Sequence, residues 1–412
     1  MARSQDILTG TFRFEGAARV SEETYRERTL RAEPTHGDLL YSREGTYFGI
    51  AAEVPRETRV CLGQRMVLLR PNPIQVHFRF LRYWLNSAVL AAHIHGHRDG
   101  TVAERLNLPT IRGVPVPVPP IAQQAAIAKV LGSLDDKVEL NRRMNETLET
   151  MTSVSFKSWF VRFDPVRAKA EGRQPFGLDA ATAALFPDSV QDSSLGKIPK
   201  GWHSAKLSSV AELVKGVSYR SADLEESPVA LVTLKSVARG GGYREDGLKP
   251  YRGQFKDEQR IQQGDIVVAH TDVTQAAEVL GRAARVQEHP DYATLVASLD
   301  LVIVRPADDL TSREFLYGLL SQDDYKEYAY GHSNGTTVLH LSHKALPDYS
   351  FPLPPGSIRI AFTNMARPLF EQLDTNFSQS RTLNSIRNSL LSKLVSGEIQ
   401  LQDAEGLVGT SI

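Results

Sequence analysis

The 412-residue chain has a single cysteine, Cys61. One thiol cannot close an intramolecular disulfide or build a cysteine-based zinc site, and its scarcity suits a reducing, cytoplasmic setting. No stretch approaches the roughly 18 apolar residues of a membrane span. Met1 to Gly10 also lacks the apolar core of a signal peptide. Lysine is absent from residues 1–120, where arginine supplies the positive charge with an excess of about four over the acids. Residues 199–355 carry about four excess acids, and the whole chain balances at a formal charge of +0. Any contact with a polyanion must therefore rest on local basic surface or on a partner.

Catalytic signatures are missing as well. The chain has no Gly-x-x-x-x-Gly-Lys-Ser/Thr to cradle nucleotide phosphates, no Gly-x-Ser-x-Gly elbow and no His-Glu-x-x-His zinc motif. Asn72-Pro73-Ile74-Gln75 and Asp164-Pro165-Val166 lack the second proline and aromatic that an amino-methyltransferase needs. None of the Pro-Asp pairs at Pro187-Asp188, Pro290-Asp291 and Pro347-Asp348 continues into an acid, one residue and a lysine, as in a nuclease. These absences point to a non-catalytic chain that needs no cofactor of its own. His93-Ile-His-Gly-His97 has the residue types of a metal cluster. Its internal counterpart is Tyr328-Ala-Tyr-Gly-His332, so a surface turn is the expected reading. Gly240-Gly-Gly242 reads as a turn, because no helix start follows it.

What the chain does contain is a repeat. Arg70-Pro71, Phe80-Leu81, His97, Gly100-Thr101, Leu106 and Pro119-Pro120 match Arg305-Pro306, Phe315-Leu316, His332, Gly335-Thr336, Leu341 and Pro354-Pro355 without a gap. Gly37-Asp38 before Leu39-Leu40-Tyr41 matches Gly264-Asp265 before Ile266-Val267-Val268. After each diproline, Val130, Leu134, Asp135, Val138, Met144 and Met151 fall opposite Leu369, Leu373, Asp374, Phe377, Leu383 and Leu390. Each half is thus a mixed α/β unit followed by a helix, an α+β architecture.

Val67–Leu69 and Leu301–Val304 read as buried strands, and Phe80–Ala92 and Phe315–Tyr328 have helical spacing. The proline-rich runs 114–120 and 349–355 should be edge strands or exits to the helices. From Ala122 to about Ser158 no proline intervenes, and Ile127, Leu134 and Leu148, with Val130, Met144 and Met151, recur on a heptad. Such a helix would span roughly 55 Å. A second runs from about Ile358 to Leu394, with Leu373, Leu383, Leu390 and Leu394 near the equivalent seam and Pro368 expected to kink its first turns. Lys137 and Asn141 break the first seam, and Asn376, Ser380 and Arg387 the second; a buried Asn there fixes register at a cost in stability. Two ordinary amphipathic helices packed on the domains would show a similar periodicity.

Polar loops at matched positions are the candidate binding surfaces. Arg43, Thr46 and Tyr47 follow the first Gly-Asp strand; Thr271, Asp272, Thr274 and Gln275 follow the second. His97, Arg98 and Thr101 pair with Ser333, Asn334 and Thr336, while Lys215, Tyr219 and Arg220 belong to the second unit only. Arg, Gln and Asp in such loops can read guanine, adenine and cytosine edges, and solvated turns have the same composition.

Pro120-Ile-Ala-Gln-Gln124 through Leu131-Gly-Ser-Leu-Asp-Asp136 to Glu149, Ser158-Trp-Phe-Val-Arg-Phe-Asp-Pro165, Phe186-Pro-Asp188 and Gly196-Lys-Ile-Pro-Lys-Gly-Trp202 resemble the central conserved region of type I restriction-modification specificity subunits. Ile386-Arg-Asn-Ser-Leu-Leu-Ser-Lys-Leu-Val-Ser-Gly-Glu-Ile399 is similar to the distal one. The resemblance implies two target-recognition domains separated by two long antiparallel coiled-coil helices in a pseudo-twofold arrangement. Its domains are 1–120 and 199–355, its helices 121–160 and 356–397, its linker 161–198 and its tail 398–412. It further implies a split DNA site, two methyltransferase subunits on the helices, and a restriction and translocase subunit. S-adenosylmethionine, ATP and magnesium would sit on those partners. About thirty residues, roughly Trp202 to Leu231, have no counterpart before Met1, so the first recognition domain is expected to be shortened at its start. A recognition subunit of another modification or phage-defence complex, or a coiled-coil protein adaptor, would share the repeat and the helices.

Overall fold

The structure is a computed structural model describing residues 1–7, 10–14, 17–45, 48–96, 105–273, 277–335, 338–396 and 398–409, without the side chains of 95, 96, 405 and 407. It divides into two compact units. Unit 1 is Met1–Arg143 with Asn376–Ile412, and unit 2 is Met144–Thr375. The cuts fall within the two long helices, Ile121–Phe156 and Gly356–Ser396, so each unit holds one α/β head and a segment of both helices.

The Gly-Asp signature has one local cause in both heads. Gly37 and Gly264 take φ of +100° and +81°, a region that L side chains rarely adopt, and so turn the chain into the strand. The following aspartate, nearly or fully buried, accepts the N–H three residues back: Thr35 to Asp38 at 2.8 Å and Gln262 to Asp265 at 3.0 Å. It also holds the arginine that ends the neighbouring strand, Arg70 at 2.6 Å and Arg305 at 2.7 Å.

From that turn, Leu39–Ser42 lies between Ala51–Glu53 and Met66–Leu69, all antiparallel, with Leu39 opposite Glu53 and Leu69. In unit 2 Ile266–Ala269 lies between Ala283–Arg285 and Leu301–Pro306, with Ile266 opposite Arg285 and Val304. Unit 2 adds a fourth strand, Ala211–Lys215, beside Leu301–Pro306. It also adds a sheet in which Val229–Val232 runs parallel to Thr294–Ala297.

The proline-rich runs differ for the same reason. Ser350–Leu353 is a strand whose one partner is His203–Lys206, whereas residues 114–120 form no strand. The strand that satisfies the second run comes from the stretch without a counterpart in the first repeat.

Each expected helix after the strands is two: Phe78–Leu85 and Ala88–Gly96 in unit 1, Arg313–Leu320 and Asp323–Gly331 in unit 2. At the first break Asn86 leaves the helix to pair with both backbone groups of Ala51, each at 2.8 Å. His93-Ile-His-Gly96, expected as a surface turn, is instead the last turn of a helix, as is Tyr328-Ala-Tyr-Gly331.

Residues 161–198 are folded rather than extended. They form the helices Asp164–Ala170 and Ala180–Leu185 and a hairpin of Val190–Ser193 with Gly196–Pro199. Val166, Phe186 and Ile198 enter the unit 2 core with Phe156, Trp159, Phe160 and Trp202. The second long helix continues through Pro368, because Ala366 and Phe370 on either side are buried. Their burial offsets the roughly 3 kcal/mol that an internal proline costs. Part of the tail is the helix Leu401–Gly409, with Ala404 and Val408 in the unit 1 core.

Gly318 lies in Arg313–Leu320, where Ala would normally favour a helix by roughly 1 kcal/mol. A Cβ there would stand 2.3 Å from Cδ2 of the buried Phe156 ring. Gly318→Ala is therefore expected to destabilise unit 2 by about 1–3 kcal/mol in urea titration, through overpacking. A stabilised variant would show that the ring yields freely.

Candidate nucleic-acid interface

Three of the segments singled out in the second repeat converge in unit 2. The strand Ile266–Ala269 leads into His270, whose carbonyl accepts the Leu341 N–H at 2.8 Å. Thr271–Asp272 then pairs with Leu339–Leu341, and that strand pairs with Ser333–Asn334; His340 stands opposite both Thr271 and Asn334. Loops about sixty residues apart thus share one three-stranded sheet. Lys215 ends the strand Ala211–Lys215, and its Nζ lies 3.5 Å from Nδ1 of His343. The His343 ring stacks on His270, with centroids 5.4 Å apart and planes 23° apart.

The expected contact residues divide. Lys215, Arg220 and Asn334 expose their side chains. Tyr219 is half-buried, and burial, helped by Asp300, raises the pKa of its hydroxyl. Ser333 donates its hydroxyl to the Tyr330 carbonyl at 2.7 Å. Two assignments are corrected. Thr271 is buried and donates to Asp300 at 2.8 Å. Asp272 has no exposed surface, and its carboxylate accepts the Val279 and Leu280 N–H groups at 2.7 and 3.1 Å. Both are committed to closing the loop and cannot reach a groove. Thr274, Gln275 and Thr336 lie outside the described residues, as do Thr46, Tyr47, His97, Arg98 and Thr101.

Unit 1 repeats the crossing that begins this arrangement. The carbonyl of Arg43, at the position of His270, accepts the Leu106 N–H at 2.7 Å, and the backbones of Glu44 and Arg105 form an isolated antiparallel β-bridge. Arg43 is half-buried, and its own N–H donates to Arg65 at 3.0 Å.

The sequence reading passed over His340 and His343. A signal existed for one of them: in Leu339-His-Leu-Ser342 apolar and polar residues alternate as on a strand with one wet face, which marks His340, and His343 lies past its end. Burial first, then His343, Lys215 and His340, hold the His270 pKa below the usual histidine range, with Asp300 opposing. The surface offers cationic and neutral donors, suited to phosphate oxygens and base acceptors. Among the described residues no group of three or more His, Cys, Asp or Glu is placed to hold a metal. None of the helices described is long and apolar enough to cross a membrane.

The helix-seam residues also divide. Ile127, Val130, Leu134, Leu383 and Leu390 share the unit 1 core, where the two helix segments run antiparallel. Asn141 is buried there and donates to Gln379 Oε1 at 2.9 Å, Ser380 Oγ at 3.3 Å and the Asn376 carbonyl at 3.4 Å. Leu373 is buried in unit 2, and Leu148 is partly buried there. Met144 and Met151 are corrected: they are 39% and 50% exposed. The buried face instead runs Ile127, Leu131, Leu134, Asn141, Thr152, Phe156, a period of about 3.6. A strict heptad drifts by about 20° every seven residues on a straight helix, which carries both methionines to the outside.

A family model described as "Type I restriction modification DNA specificity domain" matches residues 26–150. The chain is 25% identical over 397 residues to the type I restriction enzyme MjaIX specificity subunit of Methanocaldococcus jannaschii, covering 94% of this chain and 83% of that one. Over 413 residues it is 24% identical to the HindI specificity subunit of Haemophilus influenzae, covering 88% and 86%. The crystal structure of a type I restriction-modification S subunit from M. genitalium overlays with a TM-score of 0.47 at 17% identity, covering 88% of this chain and 83% of the other.

Proposed function

The chain belongs to the family of type I restriction-modification specificity subunits, and from that premise we propose that it is the non-catalytic reader of a bipartite DNA site. Each head reads one half-site. The long helices set the separation and dock two methyltransferase subunits, to which a restriction and translocase subunit joins. S-adenosylmethionine, ATP and magnesium belong to those partners. The observation that supports this most directly is the shared sheet of unit 2, which joins Thr271–Asp272 and Ser333–Asn334 through Leu339–Leu341, with Lys215 set against His343 just past that strand. A braced Gly-Asp strand leads to it, and the same strand leads to Arg43 in unit 1.

Two weak readers on stiff helices become one strong reader only for half-sites at the permitted spacing. Sequencing the methylome of cells that express the chain with its methyltransferase is expected to yield a split methylated motif with a spacer of constant length. A continuous motif, or none, would count against the proposal. An adaptor that binds only protein would leave gel shifts of the complex indifferent to that motif.

A further inference from the structure

We propose that Lys215, His270 and His343 form a phosphodiester-binding site on unit 2, one that grips the DNA backbone more firmly when His270 is protonated. This rests on the DNA-reading function proposed above and adds the chemistry of one contact. The three side chains come from separate elements: the end of the strand Ala211–Lys215, the residue after Ile266–Ala269, and the turn after Leu339–Leu341. Backbone bonds hold each element. Lys215 is in register opposite Val302, and its carbonyl accepts the Gln259 side chain at 3.1 Å. His270 donates its N–H to the Asp300 carbonyl at 2.7 Å.

An ammonium 3.5 Å from His343 Nδ1 makes that nitrogen the acceptor, so the ring proton sits on Nε2 and is available to a ligand. Lys215 has three donors and spends one on His343. The titratable and charged groups set against the His270 ring are His343, Lys215, His340 and Asp300. Asp300 already accepts the Thr271 hydroxyl at 2.8 Å. Lys215, His340 and His343 are exposed, and His270 is half-buried behind them. A phosphate oxygen in front of the stack would find donors on Lys215 and His343, and its charge would favour the imidazolium form of His270. Binding then takes up protons, so affinity rises as pH falls.

The test uses the full chain co-expressed with its methyltransferase, titrated against a random-sequence duplex and against one carrying the methylated motif, at several salt concentrations. A phosphate contact ignores sequence. Lys215→Gln is expected to weaken both duplexes equally and to lower the slope of log affinity against log salt by about one. Lys215→Arg should restore the slope. The wild-type complex should bind about fivefold more tightly near pH 6 than near pH 8, the effect of one imidazole pKa raised by about a unit on binding. His270→Gln should flatten that dependence. Unchanged slopes and pH profiles in all variants, or losses confined to the motif duplex, would overturn the site while leaving the reader intact. A wild-type complex that binds neither duplex would remove the reader and the site together.

Discussion

Asp135→Ala is expected to cost unit 1 about 3–5 kcal/mol, the range for removing one partner of a buried ion pair. Asp135 lies on the first long helix and is 22% exposed. It accepts Arg82 and the Tyr83 hydroxyl, each at 2.7 Å, and Arg387 at 2.6 Å, so three helices meet on one carboxylate. Removal strands two guanidinium groups; Arg82 is the more costly, being almost wholly buried with Glu53 as its other acid. Burial alone would raise the Asp135 pKa, but Arg82 and Arg387 outweigh it and hold the value below 3.8. A depressed folded-state pKa stabilises above the unfolded value, and that contribution is lost as pH falls through the folded one. Hydrogen exchange of unit 1 amides should therefore show faster opening in Asp135→Ala at neutral pH, with the difference from wild type shrinking in acid. A change below about 1 kcal/mol would mean that the arginines find other partners.

Phe156→Ala is expected to weaken unit 2 by a similar amount, about 3–5 kcal/mol. The ring is 1% exposed, with Phe160 at 4.7 Å and Phe315 and Phe362 at 5.4 Å between centroids. Phe315 and Phe362 come from other helices, which cannot close over the gap without moving backbone. Met151→Ala on the same helix should change stability by no more than about 0.5 kcal/mol, because its side chain faces water. A reversal of the two effects in urea titrations would restore the heptad assignment and defeat the straight-helix one.

These two residues show where sequence reading succeeded and where it stopped. Asp135 and Asp374 were matched by repeat alignment, and each does anchor a helix to its head. Their partners are not matched. Asp135 meets Arg82 from a helix, and Asp374 meets Arg285 from a strand at 2.7 Å. Glu53 stands at the Arg285 position in unit 1, so a charge exchanged on the strand is compensated elsewhere. Phe156, buried against Phe160, Phe315 and Phe362, lay beyond the heptad reading, which ended at Met151. Asp272 was chosen as a base reader for its loop position, yet it caps the return of that loop. His340 and His343, which were passed over, are exposed.

The repeat, the Gly-Asp turn, the α+β alternation and the two long helices were determined by sequence alone. Each depends on local chemistry or on self-similarity: a positive φ that needs glycine, a carboxylate three residues after an N–H, apolar residues at a regular spacing. Only tertiary structure decided which polar side chains face solvent and which are consumed inside. The commitment of Thr271 and Asp272 depends on Asp300 and on Val279 and Leu280, partners that composition and spacing do not specify. A hydrogen-bonding side chain is available to a ligand only when the fold has not already supplied its partner, and that balance is struck in three dimensions.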